Sequence, residues 1–192
     1  MPFPEIATPA SFNEIATAKG WPTLCDEHCG FDHGLLNDLH SLWRQEAQTG
    51  VPARAALTAR KLQPFMRNIA LYERIGAGAE RRYRVRLLGS GIVQYYGELT
   101  GKFFEEAVPE KFLERWYAWT DISLLAQKPM RIVLRADTFE KSYMTAEYFC
   151  APLLAEDRLM KFVLFGMVFD GNRLWADVEA ETRRNFDLAK TI

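Results

Sequence analysis

The spacing of hydrophobic residues predicts five β-strands in two groups. In the first group two extended runs flank a loop of glycine, alanine and glutamate, and glycine supplies the positive φ that a hairpin loop needs. In the second run Tyr83, Val85 and Leu87 alternate with arginines, which is typical of a strand with one face in a core. The runs are 68–75 and 81–88 in the first group, and 130–138, 143–154 and 160–169 in the second. A short polar loop joins the last two runs, which predicts a second hairpin.

Hydrophobic residues at helical spacing predict helices on both sides of these strands. Residues 32–49 place leucines and Trp43 on one face, with Asp32 as the N-cap. A longer helix is predicted at 109–127, since proline suits its first turn and a second proline prevents its continuation. Residues 171–192 predict a helical tail. The leading helix has a single apolar stripe, so we expect it to pack on something larger.

The order of these elements predicts an α+β domain. Two groups of antiparallel strands bracket a helical middle, and helices between such groups must pack on one face of the joined sheet. We therefore expect a five-stranded antiparallel sheet with helices on one face, over residues 32–170 including the leading helix. Residues 1–31 contain four prolines and no clear period, which predicts an irregular N-terminal arm.

The second hairpin predicts which side of the sheet faces the core. With Leu154 paired to Leu159, Tyr148 lies opposite Phe165. Glu147 prefers water, so the opposite side should point inward, and a slip of one residue would exchange the two sides. The predicted inward residues are Tyr148, Cys150, Val163, Phe165 and Met167. The outward side is also apolar, so it needs cover from the leading helix or from a second subunit.

Charge and composition narrow the partners. The 192 residues carry 24 Lys and Arg against 25 Asp and Glu, a net charge of -1. No overall field draws the chain to nucleic acid or to an acidic membrane surface, and we expect neither partner. The longest apolar run, 162–169, is far below the roughly 20 residues of a membrane helix, and the N-terminus lacks a secretory pattern. Three cysteines, an odd and sparse set, fit a reducing cytoplasm.

Five short stretches carry a more specific pattern. They are Leu-Trp-Arg at 42–44, Val-Pro-Ala-Arg at 51–54, Leu-Gln-Pro-Phe-Met-Arg-Asn-Ile at 62–69, Arg-Tyr-Arg-Val-Arg-Leu-Leu-Gly-Ser-Gly-Ile-Val at 82–93 and Leu-Thr-Gly-Lys at 99–102. Together they cover roughly residues 35–170, and there the chain resembles a bacterial family of short proteins made of a single PAS domain. The resemblance implies a sensory or interaction module with an internal pocket, often a homodimer.

A pocket between the helices and the sheet would be lined by inward apolar side chains and tyrosines. Such a lining is how small ligands are commonly held, whereas the alternative is a filled core in which the tyrosines bind backbone carbonyls. The candidate lining residues are Tyr83, Val85, Leu87, Ile92, Tyr95, Tyr96, Trp116, Ile132, Leu134, Tyr148, Cys150, Phe165 and Met167. This set of residues does not identify a ligand or a cofactor.

Thiols and imidazoles cluster before the leading helix. Cys25, His28, Cys29 and His33 have the donor atoms of a zinc site. Closed zinc sites usually take paired ligands from two separate segments, whereas these four lie within nine residues. We therefore favour a polar loop, and we assign no metal.

Arginines dominate the second strand. Arg81, Arg82, Arg84 and Arg86 suit a patch that binds anions or nucleic acid. Because the net charge is near zero, we favour a solvated sheet face paired with acids such as Glu147 on a neighbouring strand.

Three functions remain open from the sequence. The first is a sensory or regulatory module that binds a small ligand or a protein partner without catalysis, since all three histidines lie in the first 40 residues. The second is a small cone-shaped lyase or isomerase that uses a buried carboxylate, Glu73 or Asp121, beside tyrosines. The third is a dimerisation scaffold that works through the apolar outer face of the sheet.

Overall fold

The computed structural model describes residues 3–136, 144–171 and 173–189, with side chains in the last helix described to Phe186. The α-helices are α1 (Pro9–Ala18), α2 (Gly34–Ala47), α3 (Ala59–Leu62), α4 (Ser90–Tyr96), α5 (Phe104–Ala107), α6 (Glu110–Ala126) and α7 (Trp175–Ala189). The strands are β1 (Thr23–Asp26), β2 (Ile69–Ile75), β3 (Arg82–Leu88), β4 (Met130–Arg135), β5 (Thr145–Leu154) and β6 (Met160–Asp170). Of the helices described, none has the length and apolar composition of a bilayer-crossing segment.

All six strands belong to one antiparallel sheet in the order β1-β4-β5-β6-β2-β3. The two predicted groups of strands join where β2 pairs with β6, with Ile69 opposite Gly166. The α+β class and the joined antiparallel sheet are therefore confirmed. The number of strands is not, because β1 pairs with β4 and extends the predicted five-stranded sheet by one edge strand.

The prediction of an irregular N-terminal arm is wrong for residues 9–26. The Thr8 hydroxyl accepts from the Ser11 N–H and caps α1, and Pro9 occupies the first turn, where its missing N–H costs nothing. The side-chain amide of Asn13 then bonds both the N–H (2.8 Å) and the carbonyl (2.9 Å) of Cys25. Helix α1 therefore covers the outer edge of β1, and this edge is closed to a further strand at that point.

Helix α6 packs on one face of the sheet, over β5 and β6, and forms the main core with it. The side chains of Trp116, Trp119 and Ile122 are almost fully buried there. All five residues predicted to point inward from β5 and β6 belong to this core, which confirms the predicted side.

Helix α2 covers the opposite face of the sheet. Leu36, Leu39 and Trp43 pack against a second apolar cluster that includes Phe149, and the Trp43 Nε1–H donates to the carbonyl of Pro152 at 3.0 Å. The helix predicted at 32–49 therefore provides the cover itself. His33, rather than Asp32, is the N-cap residue, and it caps without a side-chain bond.

The register of the second hairpin differs from the prediction by two residues. Tyr148 lies opposite Met167, and Cys150 lies opposite Phe165. The turn is one residue longer than expected, and a bulge between Leu153 and Leu154 adds a second residue to the offset. Because two is an even number, the five side chains predicted to point inward keep that face.

A second irregularity moves Leu87 out of the predicted pocket. Leu71 pairs with Leu87 while Tyr72 pairs with Val85, so Arg86 is an extra residue on β3. The bulge reverses the alternation after Val85. Leu87 therefore packs in the outer cluster with α2, and Leu88 packs against the main core.

The helix predicted for the tail is present as α7. It packs on β1 and β4 through Val178, which lies in a small apolar cluster with Leu24 and Val133. Helix α7 therefore depends on the edge strand that the N-terminal arm supplies.

Candidate functional site

The predicted pocket between α6 and the sheet is a cavity of about 10 Å³. Its walls are Tyr72, Tyr96, Trp116, Trp119, Thr120, Tyr148, Phe165 and Met167. One water molecule needs about this much space, so aromatic side chains fill the interior.

The structure brings five of the thirteen predicted lining residues to this cavity: Tyr96, Trp116, Tyr148, Phe165 and Met167. Sequence analysis missed Tyr72, Trp119 and Thr120. Alternation along the first strand could have identified Tyr72. It lies two residues after Ala70, so both side chains point to the same face of the sheet, the one that packs in the main core. Trp119 follows Trp116 by three residues, which places both on one helical face.

The other predicted lining residues lie elsewhere. Those buried in the main core, but outside the cavity wall, are Tyr83, Val85, Ile92, Ile132, Leu134 and Cys150. Tyr95 is half-buried and stacks on Phe169 with ring centroids 3.8 Å apart. The Cys150 thiol donates to the carbonyl of Trp119 and to the hydroxyl of Ser123, and burial raises its pKa, so it is a weak nucleophile.

Polar atoms around the cavity are only partly paired. The hydroxyls of Tyr96 and Tyr148 share a hydrogen bond of 2.5 Å. Burial raises the pKa of Tyr148, and the neighbouring Tyr96 raises it further, so the Tyr148 hydroxyl stays protonated. The hydroxyl of Tyr72 and the indole N–H groups of Trp116 and Trp119 have no hydrogen-bond partner among the described residues. These three donors distinguish the cavity from a purely apolar void.

Asp121 is a buried acid beside a tyrosine, but it lies outside the cavity wall. Its carboxylate accepts from Tyr83 Oη at 2.5 Å, from Arg81 Nε at 3.0 Å and from Arg81 Nη2 at 2.6 Å. Burial raises the pKa of Asp121, while Arg81 and Tyr83 oppose the rise. With its lone pairs used in this way, Asp121 has no free oxygen to act as a base.

Glu73, the other candidate acid, lies at the surface. Its carboxylate pairs with Arg86 at 3.3 Å and contributes nothing to the cavity wall. The arrangement that the lyase or isomerase hypothesis requires, an acid and a tyrosine in one pocket, is therefore not formed by either residue.

Glu147 was expected to face water, and this expectation is wrong. Only 4% of the residue is exposed, and its carboxylate accepts from Arg131 Nε at 2.5 Å. Backbone N–H groups of Asp32 and His33 donate to it as well, at 3.1 and 3.2 Å. The same guanidinium reaches Asp26 and Asp32, each at 3.3 Å. The pairing with Arg131, on the strand next to β5, satisfies the buried charge.

The arginines of the second strand do not form one patch. Arg81 is buried against Asp121, whereas Arg82 pairs with Glu105 and Arg86 with Glu73, each at 3.3 Å. Arg84 donates to the carbonyl of Gly101 at 3.1 Å. Glu147 is not a neighbour, because β6 and β2 separate its strand from β3.

The cysteines and histidines before α2 do not converge. Cys25 points into the main core, whereas Cys29 belongs to the outer cluster on the other face of the sheet. Burial raises the pKa of the Cys29 thiol to about 12, and nearby Asp26 adds to the rise. Within the described parts of the chain, no three His, Cys, Asp or Glu side chains are arranged to hold a metal ion.

A larger concave surface lies outside the core, between α1, β1 and α7. This groove has a volume of about 1010 Å³. Leu24 and Phe186 contribute apolar surface to it, and Glu14, His28 and Lys128 contribute polar groups. Sequence analysis did not predict it, since it depends on the helix and strand of the N-terminal arm.

Comparisons with known proteins assign no family to this geometry. A scan against protein-family models found no match, and a search of curated proteins found none either. The function is therefore argued from the site itself.

Proposed function

We propose that the chain is a PAS-type regulatory module that acts by binding a protein partner and performs no catalysis. The observation that carries this proposal is the interior cavity of about 10 Å³. Small-molecule pockets typically have volumes of about 300 Å³ or more. Ligand sensing in the interior would therefore require the core to open, whereas partner binding uses the surface as it is.

The topology of the sheet supports the PAS part of the proposal. The resemblance implies that the strands at 68–88 and at 130–169 form one antiparallel sheet with the intervening helices over one face. The pairing of β2 with β6 and the position of α6 agree with that arrangement. Helices α1, α2 and α7 and strand β1 surround this unit and give it surfaces for a partner.

A ligand sensor is the second candidate, and the unpaired donors of Tyr72, Trp116 and Trp119 favour it. Buried polar groups usually have partners, and a bound molecule with acceptor atoms would supply them. Such a molecule would act only through a different affinity for two conformations of the module.

Native mass spectrometry separates the two candidates. Protein purified without added ligand is weighed in its native state, then denatured and searched for released small molecules. We expect the native mass to equal that of the bare chain. We also expect the absorption spectrum of the purified protein to show no band in the visible range. A small molecule present at one equivalent would instead favour the ligand sensor.

Partner binding is tested by crosslinking in cells that express the tagged chain. We expect one protein to be crosslinked in near-stoichiometric amount, and we expect the purified pair to form a complex in analytical ultracentrifugation. The same runs at several concentrations test the predicted homodimer. If the chain sediments alone beside every crosslinked candidate, the proposal fails.

A further inference from the structure

Residues 3–6 lie on the domain as a short peptide lies on its receptor. This N-terminal segment has the sequence Phe-Pro-Glu-Ile and precedes α1. Its residues contact β2, the residue before β3, α6 and the main core. Together these contacts define a receptor site, formed by Arg74, Arg81 and Tyr117, that is separate from the interior cavity.

The backbone of the segment is held by a buried guanidinium. Arg81 Nη2 donates to the carbonyls of Phe3, at 3.1 Å, and Pro4, at 3.3 Å. The side chain of Arg81 is only 2% exposed. Such a donor binds the main chain of a peptide whatever its side chains are, and it gives affinity without specificity.

Three side chains of the segment provide the specificity. The ring of Phe3 lies 5.1 Å from the ring of Tyr117. The carboxylate of Glu5 pairs with Arg74 at 2.8 Å. Ile6 is buried in the main core with 2% of its surface exposed. The recognised pattern is therefore an aromatic residue, any residue, an acid and an aliphatic residue.

Two of the three receptor groups, Arg81 and Tyr117, are fixed by contacts that do not involve the segment, whereas Arg74 pairs with Glu5 of the segment. Asp121 and the carbonyl of Gly78 hold the guanidinium of Arg81. The hydroxyl of Tyr117 donates to Glu105 at 2.5 Å. Because Arg81 and Tyr117 are preorganised, removing the segment leaves these two groups in place, and Arg74 loses its acid partner.

We propose that this site binds an extended peptide of a partner protein with the same pattern, and that residues 3–6 are its autoinhibitory occupant. The inference rests on the proposed function, because it names the kind of partner that the module takes. The ring of Tyr117 and the charge of Arg74 together select an acidic, aromatic-anchored peptide over a basic one.

The test uses the full-length chain and a labelled synthetic peptide with the sequence of residues 3–8, acetylated at its N-terminus. The variant Phe3→Ala/Glu5→Ala weakens the occupant and keeps α1 and β1. We expect saturable binding of the peptide to this variant, at least tenfold tighter than to the unchanged chain, measured by fluorescence anisotropy. No saturable binding to the folded variant would overturn the proposal.

A charge exchange provides the matched control. A second peptide carries lysine in place of Glu5, and a second chain adds Arg74→Glu to the weakened variant. Each peptide should bind its complementary chain at least tenfold more tightly than the mismatched one. Equal affinities would show that the segment has only a structural role. If the weakened variant does not fold, the milder Phe3→Leu chain takes its place in the same crossed design.

The outcome is distinguishable from a failure of the proposed function. If the peptide does not bind but a partner protein still forms a complex with the chain, this inference alone is wrong. If mass spectrometry finds a ligand and no partner forms a complex, the proposed function is wrong.

Discussion

The residues around the interior cavity include both paired and unpaired hydroxyls, and the difference is measurable. Tyr96 and Tyr148 bond each other, whereas Tyr72 has no partner among the described residues. Removing a paired hydroxyl costs the bond, while removing an unpaired buried hydroxyl costs little. Comparing the loss of the Tyr72 hydroxyl with the loss of the Tyr148 hydroxyl therefore shows whether a molecule in the cavity binds Tyr72.

Two conservative substitutions test this difference between the paired and the unpaired hydroxyl. Tyr148→Phe should lower the free energy of unfolding by about 1 kcal/mol, because it removes the bond to Tyr96. Tyr72→Phe should change it by less than about 0.5 kcal/mol. Urea unfolding measures both. A loss with Tyr72→Phe as large as with Tyr148→Phe would reveal a partner at that hydroxyl, as the ligand-sensor candidate requires.

His40 links stability to pH. It lies on α2 against the rings of Phe31 and Phe149, and burial lowers its pKa below the ordinary value of 6.5, with Arg44 adding to the effect. The folded chain therefore takes up this proton less readily than the unfolded chain. The contribution of His40 to stability is present above pH 6.5 and is lost as the pH falls through its lowered pKa.

Substitution of His40 should weaken this dependence. We expect His40→Leu to lose less stability than the unchanged chain when the pH falls from neutral to mildly acidic values, as followed by urea unfolding at each pH. Ser41→Ala, an exposed change on the same helix, serves as the control and should retain the original slope. An unchanged slope in His40→Leu would contradict the assignment.

At the scale of elements, the packing of α2 depends on one glycine in the sheet. A Cβ atom at Gly166 would lie 2.6 Å from Leu39 Cδ2 and 3.0 Å from Leu36 Cδ2. The absence of a side chain on β6 therefore lets the helix approach the strand closely. Helix α2 therefore buries the apolar outer face of the sheet within the chain. The scaffold hypothesis requires this face to be available to a second subunit.

Gly166→Val should lower the free energy of unfolding by about 1–3 kcal/mol, because it overpacks this interface. Adding Leu39→Ala should recover part of that loss, since it removes the clashing atoms, and the two changes should therefore be non-additive. Gly30→Ala, where an added Cβ meets nothing within 4 Å, is the control. Additive effects in thermal or urea unfolding would argue against direct contact.

The whole molecule is tied together by a buried charge cluster and by one strand pairing. Arg131 on β4 binds Glu147 on β5, Asp26 at the end of β1 and Asp32 before α2. Asp32 also accepts from Arg173, which precedes α7. The N-terminal arm, the sheet and the C-terminal helix therefore meet at one site, and we expect them to unfold together.

Arg131→Met should leave the three carboxylates without their common cation. Breaking a buried pair in this way costs about 3–5 kcal/mol. Far-UV circular dichroism and the combined fluorescence of the five tryptophans, of which Trp21 lies in the arm, should nevertheless give coincident unfolding transitions, because the arm and the sheet belong to one unit. Separate transitions would mean that the arm, the sheet and the C-terminal helix do not unfold as one unit.

The candidate site was predictable only in part, and the reason is the range of the interactions. Helical spacing identified Trp116, and strand alternation identified Tyr148 and Phe165, since both patterns are local. The volume of the cavity depends on how these rings interlock across α6, β5 and β6, which no local pattern reports. The partner of Glu147 lies 16 residues away on another strand, so its burial could not be inferred from its charge.

The sequence by itself determined the class of the fold and which residues of β5 and β6 share a face of the sheet. Both follow from periods of two and 3.6 residues, and an offset of two in the register leaves the faces unchanged. Only the tertiary structure decided the register, the reversal at Leu87, the place of the N-terminal arm and the closed interior. Bulges and edge strands are selected by contacts between distant segments, and such contacts leave no periodic signal in the chain.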